Sequence, residues 1–275
     1  MLRSPFPVVP RESTVEYQKL VIESNGDLLI CRISDPPANL VGQALLRELD
    51  RFLDETLDGG RARAVILTAT GDVFSGGGNL VDQSALHWNG RASEDLGNHV
   101  FNRIERYPLP VIAAVQGDVF GGGVELLMSC HLRVMSASAK LKMPELQFGF
   151  VPGWGGTQRL PRIVGRTRAY EMYLTADAYT AEQMHAFGLV NRVAPAGAAL
   201  QEAQALAERT LRSSPEAIAA FIQVVNQSAD QTLDVGLEIE HDAVLNTVSS
   251  PQLYERVIRI FPKLGQVPRS IGQLP

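Results

Sequence analysis

The residues in this chain best suited to chemistry are three groups of glycines and two glutamates near them. The glycines are Gly76-Gly77-Gly78, Gly121-Gly122-Gly123, and the set Gly153, Gly155 and Gly156. Several loop types are excluded by spacing. A phosphate-binding P-loop needs lysine after G-x-x-x-x-G, and Gly123 stands where that lysine would follow Gly117–Gly122. No cluster has the G-x-G-x-x-G spacing of a dinucleotide site, and no G-x-S-x-G hydrolase elbow occurs. The histidines His87, His99, His131, His185 and His241 form no H-x-x-x-H or H-x-H pair, so no metal site is expected. What remains is backbone amide chemistry. Glycine permits positive φ and close approach of a ligand to the backbone. Two such loops, each running into a helix N-terminus, can aim two N–H donors at one oxygen, which is an oxyanion hole. Glu125 lies two residues past Gly123, in the first turn of the helix that this cluster opens, where it would also favour the helix dipole. Glu145 follows Pro144 and reads equally as a solvated loop acid. Two carboxylates beside an oxyanion hole would suit general acid/base work on a carbonyl compound.

These loops need a rigid frame, and the apolar pattern supplies one. Residues 15–34 read as two strands joined at Asn25-Gly26. Leu45, Leu46, Leu49, Phe52 and Leu53 recur at helical spacing. Ala64 to Thr70 and Val111 to Val115 are short apolar runs suited to buried strands, each followed by a glycine cluster. Leu96, Val100 and Ile104 mark a helix stopped at Pro108, and Leu132 to Met135 a further strand. Thr180 with Gln183 makes a capping box, and Val190 to Ala194 is a last strand. Ser214-Pro215 opens a helix with Ile218, Phe221, Ile222 and Val225 on its apolar stripe. Two further stripes, Leu233, Leu237 and Val244, then Leu253, Val257 and Ile260, make the C-terminal region helical, either as a cap on the core or as an oligomer interface. Alternating strands and helices with glycine loops at strand ends predict an α/β fold built on parallel pairing, with the site at the carboxyl ends of strands.

Composition excludes other classes. The 275 residues are 45% hydrophobic and 20% charged, ordinary for a globular chain. The net charge of −5 and the absence of a Lys/Arg run argue against nucleic acid. The longest apolar run is six residues, Ala217 to Ile222, against roughly 20 needed to span a bilayer. No signal-like block precedes Thr14. Cys31 and Cys130 sit in apolar segments and read as buried reduced thiols. A soluble, cytoplasmic protein is expected.

Four motifs in order then carry a resemblance: Phe74-Ser75-Gly76-Gly77-Gly78-Asn79-Leu80, Gly117-Asp118-Val119-Phe120-Gly121-Gly122-Gly123-Val124-Glu125, Pro144-Glu145, and Val151-Pro152-Gly153-Trp154-Gly155-Gly156-Thr157-Gln158-Arg159-Leu160. The chain resembles the crotonase superfamily, and within it the enoyl-CoA hydratases, over roughly residues 15 to 263. The resemblance implies a spiral of ββα units over 15–200, after an extended segment 1–14, and a helical trimerisation region over 201–275. It implies trimers or hexamers, an acyl-CoA thioester as substrate, and no separate cofactor, coenzyme A being part of that substrate. By motif position Gly78 and Gly122 would supply the oxyanion-hole amides. Glu125 and Glu145 would be the two carboxylates that hold a water for addition across the 2,3 double bond. Ala38, Gly76, Asn79, Leu80, Phe120, Gly121, Gly153 and Trp154 would contact substrate. Isomerisation of the double bond, another reaction of the superfamily, is the alternative. The chain departs from the family at Asn79, where Asp is common, and near Ala38-Asn39, where Pro36-Pro37 stand in place of a basic residue. Its C-terminal Phe261-Pro262-Lys263 also lacks the usual charge. Arg32, or Lys263 of a neighbouring subunit, would then meet the coenzyme A phosphates.

Overall fold

The computed structural model describes residues 16–60, 62–85 and 92–260. The segment 1–14 and Lys263 lie outside them.

A six-stranded sheet runs in the order β1-β2-β3-β5-β7-β10. Its strands are β1 (Leu20–Asn25), β2 (Leu28–Ile33), β3 (Ala64–Ala69), β5 (Val111–Val115), β7 (Leu132–Ser136) and β10 (Arg192–Ala194). The β1–β2 hairpin is antiparallel and the remaining pairs are parallel. Gly26, at φ 60, turns the hairpin. A second sheet of short strands runs β4-β6-β8-β9, from Val73–Ser75, Asp118–Phe120, Lys140–Lys142 and Tyr179–Thr180. Three times the chain therefore makes a strand of the large sheet, then a short strand of the small sheet, then a helical segment. The helical segments following the three short strands are α2 (Leu80–Ala85) and α3 (Ala92–Glu105), α4 (Gly122–Ser129), and a 3-10 turn (Glu145–Phe148) leading to α5 (Gly156–Val164). This is the expected spiral of ββα units.

The short strands correct one expectation. The first two glycine clusters do not follow the long buried strands directly. They follow β4 and β6, which three residues are too few to reveal by alternation. The two sheets thus share the work: the long strands bury the core and the short ones aim the loops.

Side-chain alternation splits the core across the large sheet. Val65, Leu67, Val111, Ala113 and Val115 face the main core with α1 (Gln43–Gly59), whose Leu45, Leu46, Leu49, Phe52 and Leu53 are all buried. Ala64, Ile66, Ile112 and Ala114 face the other side, where α8 (Ala199–Thr210) lays down Ala199, Ala203 and Ala207. Small residues at i, i+4 and i+8 let this helix sit close on the sheet. Between them, α6 (Arg166–Thr175) packs against α5, and α7 (Ala181–Ala186) is opened by the expected Thr180–Gln183 capping box. Cys31 and Cys130 are free and buried, as expected.

The last three helices are α9 (Pro215–Ser228), α10 (Leu233–Val248) and α11 (Pro251–Ile260). Ser214 caps α9 with proline at its start. Of the α9 stripe only Ile222 is buried, while Phe221 is 67% and Val225 50% exposed, and α10 buries no residue. No helix among the described residues is long and apolar enough to cross a membrane.

Candidate active site

The first glycine loop is held from behind by the segment before α1. Gly76 N–H donates to Ala38 O at 2.7 Å, Val41 N–H to Gly77 O at 2.8 Å, and Asn79 N–H to Val41 O at 2.9 Å. Behind this bridge sits Asn39, fully buried and in the left-handed region at φ 48, which asparagine tolerates. Its amide donates to Thr70 O and Val73 O, and its Oδ1 accepts from Asp35 N–H. Ser75 Oγ donates to Asn39 O and accepts from Gly77 N–H. Both flanking peptides of Gly78 are thereby fixed, while its own N–H meets no acceptor among the described residues.

The second loop is set by Gly121, at φ 46, whose N–H donates to Lys142 O. Gly122 is the first residue of α4, so its N–H has no intrahelical acceptor and stands at the positive end of the helix dipole. The two free amides are neighbours. A Cβ added at Gly122 would lie 3.1 Å from Gly78 N, and one added at Gly77 would lie 3.5 Å from Gly122 N. Two pre-oriented donors with little conformational freedom are what a developing oxyanion requires.

The carboxylates share this cleft but differ in their surroundings. Glu125, in α4, accepts from Trp154 N–H at 2.9 Å and Gly156 N–H at 2.7 Å through one oxygen. Burial pushes its carboxyl up, and the two amides and the Arg159 charge pull it back toward the ionised form. Glu145, only 4% exposed, is no solvated loop acid: it is buried in the 3-10 turn, and neither of its oxygens has a partner among the described residues. Burial, with the Glu125 charge adding to it, pushes its carboxyl up to about 7. One carboxylate is thus held and oriented, and the other is poised to gain and lose a proton near neutrality.

The third cluster is the strap that holds Glu125. Arg159, 8% exposed, donates to Trp154 O, to Asn102 Oδ1 and to both carboxylate oxygens of Glu105. Gly155, at φ 96, leaves the room for this guanidinium, since a Cβ there would come within 2.0 Å of it. Arg159→Met should therefore lower the unfolding free energy by about 2 kcal/mol in a urea titration, because it leaves the buried Trp154 carbonyl without its donor. An unchanged midpoint would show that the strap does not depend on the arginine.

Most of the expected residues meet in one cleft. Gly76, Gly78, Leu80, Gly121, Gly122, Glu125, Glu145, Gly153 and Trp154 all line it. Trp154 is both wall and core. Its indole is buried edge-on against Phe101 and packs onto Gly97 and Gly122, where an added Cβ would meet it at 2.4 and 2.6 Å. Ala38 stands behind the loop rather than in the cleft lining. Asn79 turns to cap α2, accepting from Asp82 N–H through Oδ1, so the neutral amide anchors that helix. Phe120 is half-buried, with its carbonyl beside Gly77 and its side chain outside the lining. Arg32 is not brought to the cleft. It pairs with Glu23 across the β1–β2 hairpin at 3.1 Å and lines a separate polar hollow with Thr70, Asp72 and Gln116. The cleft also takes in Gly77 and Pro144, which lie within the quoted motifs, and Phe148 and Phe150, which the sequence reading did not single out. The rings of Phe148 and Phe150 are stacked, with centroids 6.4 Å apart. Their signal in the sequence was two aromatics flanking Gly149, three and five residues after Glu145.

Comparison with known proteins agrees with this fold. Residues 23–260 match the Enoyl-CoA hydratase/isomerase family. The chain is 34% identical to the short-chain-enoyl-CoA hydratase of Clostridium acetobutylicum over 83% of its own length and 89% of the relative. It is 34% identical to the crotonyl-CoA hydratase of Syntrophomonas wolfei over 82% of its length and 88% of that protein. Among solved structures, an enoyl-CoA hydratase from Bacillus anthracis superposes with a TM-score of 0.83 at 28% identity, covering 90% of this chain and 97% of the other. By sequence, by the ββα spiral and by the glycine loops that frame the two glutamates, this chain belongs to the enoyl-CoA hydratase/isomerase family.

Proposed function

We propose that the protein adds water reversibly across the 2,3 double bond of an enoyl-CoA thioester, giving a 3-hydroxyacyl-CoA. The observation that carries this reading is the facing of two buried carboxylates, Glu125 and Glu145, in the same cleft as the paired free amides of Gly78 and Gly122. The thioester oxygen sits against the two amides and gains negative charge as the β-carbon is attacked. Donors already in place stabilise that enolate-like charge without reorganising, by about 3 kcal/mol each. Glu125, held by two N–H groups, orients the attacking water. Glu145 takes the proton from that water and returns it to the α-carbon, and dehydration runs the same steps backwards. The apolar walls formed by Leu80, Phe148, Phe150 and Trp154 suit the acyl portion. The coenzyme A moiety arrives with the substrate, so the reading needs no further cofactor.

Incubation with crotonyl-CoA tests it. The enoyl absorbance should fall, and the product mass should rise by one water. A product of unchanged mass would make the protein an isomerase instead, and release of free thiol would make it a thioesterase.

The same reading assigns the C-terminal helices to a homotrimer, alone or paired into a hexamer. Phe221, Val225, Leu233, Leu237, Val244 and Leu245 are all at least 47% exposed and lie on α9 and α10. That much apolar surface favours association with further copies. Light scattering should give three or six times the 29.9 kDa chain mass. A monodisperse monomer would remove the assignment. Two free buried thiols suit a reducing compartment, in keeping with a cytoplasmic location.

A further inference from the structure

Tyr173 is a buried polar group that the mechanism above does not use. It lies on α6, which packs against both α5 and the 3-10 turn carrying Glu145. The residue is 8% exposed, and its hydroxyl has no partner among the described residues. The two oxygens of Glu145, on the 3-10 turn that α6 packs against, share this property, and the Glu145 charge acts on the phenol. A single point on Gly156, where a Cβ would stand, lies 2.5 Å from the Tyr173 hydroxyl and 2.8 Å from the Glu125 oxygen that takes the strap amides. The phenol thus reaches the back of the two-glutamate centre. Burial, with the charges of Glu125 and Glu145 adding to it, keeps it neutral by pushing it well above its ordinary range.

A buried hydroxyl without a partner is costly and rare in folded proteins. Tyrosine in such a place usually finds an acceptor. Here the unpartnered acceptors are the oxygens of Glu145, and a water between phenol and carboxylate would satisfy all of them at once. We propose that Tyr173 is a positioning residue of the reacting centre, its hydroxyl donating to a bound water that in turn donates to the Glu145 carboxylate. This rests on the reading of Glu145 as the proton-transfer group. Among the described groups, the charge that acts on Glu145 is Glu125 on α4, which in turn feels Arg159 on α5, already engaged by Glu105. Neither is a donor free to replace the phenol. A donor to the carboxylate favours its charged form, so Tyr173 would hold the proton affinity of Glu145 down against the effect of burial.

Tyr173→Phe removes the oxygen and keeps the ring. Assayed with crotonyl-CoA across pH 5 to 9, it should lower kcat by about 10-fold, the scale of a lost hydrogen bond to a charged group, with KM changed less than twofold. The acid limb of kcat should move to higher pH. A kcat and an acid limb both like the wild type would overturn the proposal. A lower kcat with an unmoved limb would also overturn it, reducing Tyr173 to a packing residue. Glu145→Gln, measured alongside, separates the two layers. If it is inactive, a wild-type Tyr173→Phe refutes this inference alone. If Glu145→Gln is fully active, the assignment of Glu145 falls first and this one with it.

Discussion

Glu145→Gln is expected to lower the rate of hydration by about 100-fold or more and, at the same time, to stabilise the fold at alkaline pH. Both effects come from one fact, a buried carboxyl whose oxygens accept no direct hydrogen bond from any described residue. The amide keeps the shape of the side chain but cannot accept a proton, so kcat falls while binding is largely kept. The stability effect follows from linkage. Glu145 titrates near 7 in the fold, above its ordinary 4.5, so the fold favours the protonated form. That contribution is fully present below about 4.5 and is lost as pH rises through about 7. The charged form then weighs on the native state by about 3 kcal/mol. A neutral glutamine escapes this cost. Melting curves should therefore show the variant more stable than the wild type at pH 8.5 and matched at pH 4, while the hydration assay shows it nearly silent. Undiminished turnover would remove Glu145 from proton transfer, and a stability gap independent of pH would contradict its burial in the charged form. In the wild type, the hydration rate should rise with pH through about 7, as the carboxylate form accumulates.

Gly122→Ala should be as damaging, through geometry rather than charge. The new methyl would stand 2.6 Å from the Trp154 ring and 3.1 Å from Gly78 N. Neither neighbour yields easily. Trp154 is backed by Gly97 and Phe101, and Gly78 is bracketed by the two hydrogen bonds to Val41. The two loops must therefore part, and the amides lose their common target. The expected fall in kcat/KM is about 100- to 1,000-fold, the size seen when one oxyanion donor is lost, with kcat carrying most of it. Gly59→Ala is the control, since its Cβ would meet nothing at the exposed end of α1. A Gly122→Ala protein with wild-type kcat would show that the thioester oxygen does not use this pair of amides.

The sequence exposed the chemistry more readily than its supports. Gly78, Gly122, Glu125 and Glu145 were legible because amide donors and paired acids leave motifs of residue type and spacing. Asn39 was not, because its task is to bind backbone groups of residues 70 and 73, far from it in the chain. Arg159 lay within a quoted motif, yet its grip on Asn102 and Glu105 spans more than 50 residues. Phe148, Phe150 and Tyr173 carried no periodic signal, since a pocket wall is assembled from separate elements. The strands β4, β6, β8 and β9 were missed for another reason. Two or three residues cannot display a period of two, and only pairing across the small sheet makes them strands.

The family resemblance implied the ββα units and singled out Gly78 and Gly122; local physics explains what else the sequence by itself determined: the buried strands, the amphipathic helices, the capping box at Thr180 and the glycine clusters with Glu125 and Glu145 beside them. Each depends on neighbours within a few positions. The tertiary structure alone decided how those residues differ in surroundings. It placed Glu125 under two amides and left Glu145 bare, it set Gly78 beside Gly122, and it turned Arg32 away to Glu23. Proton affinity and donor alignment depend on burial and on groups distant in the chain, and these exist only once the two sheets and the helices between them have packed.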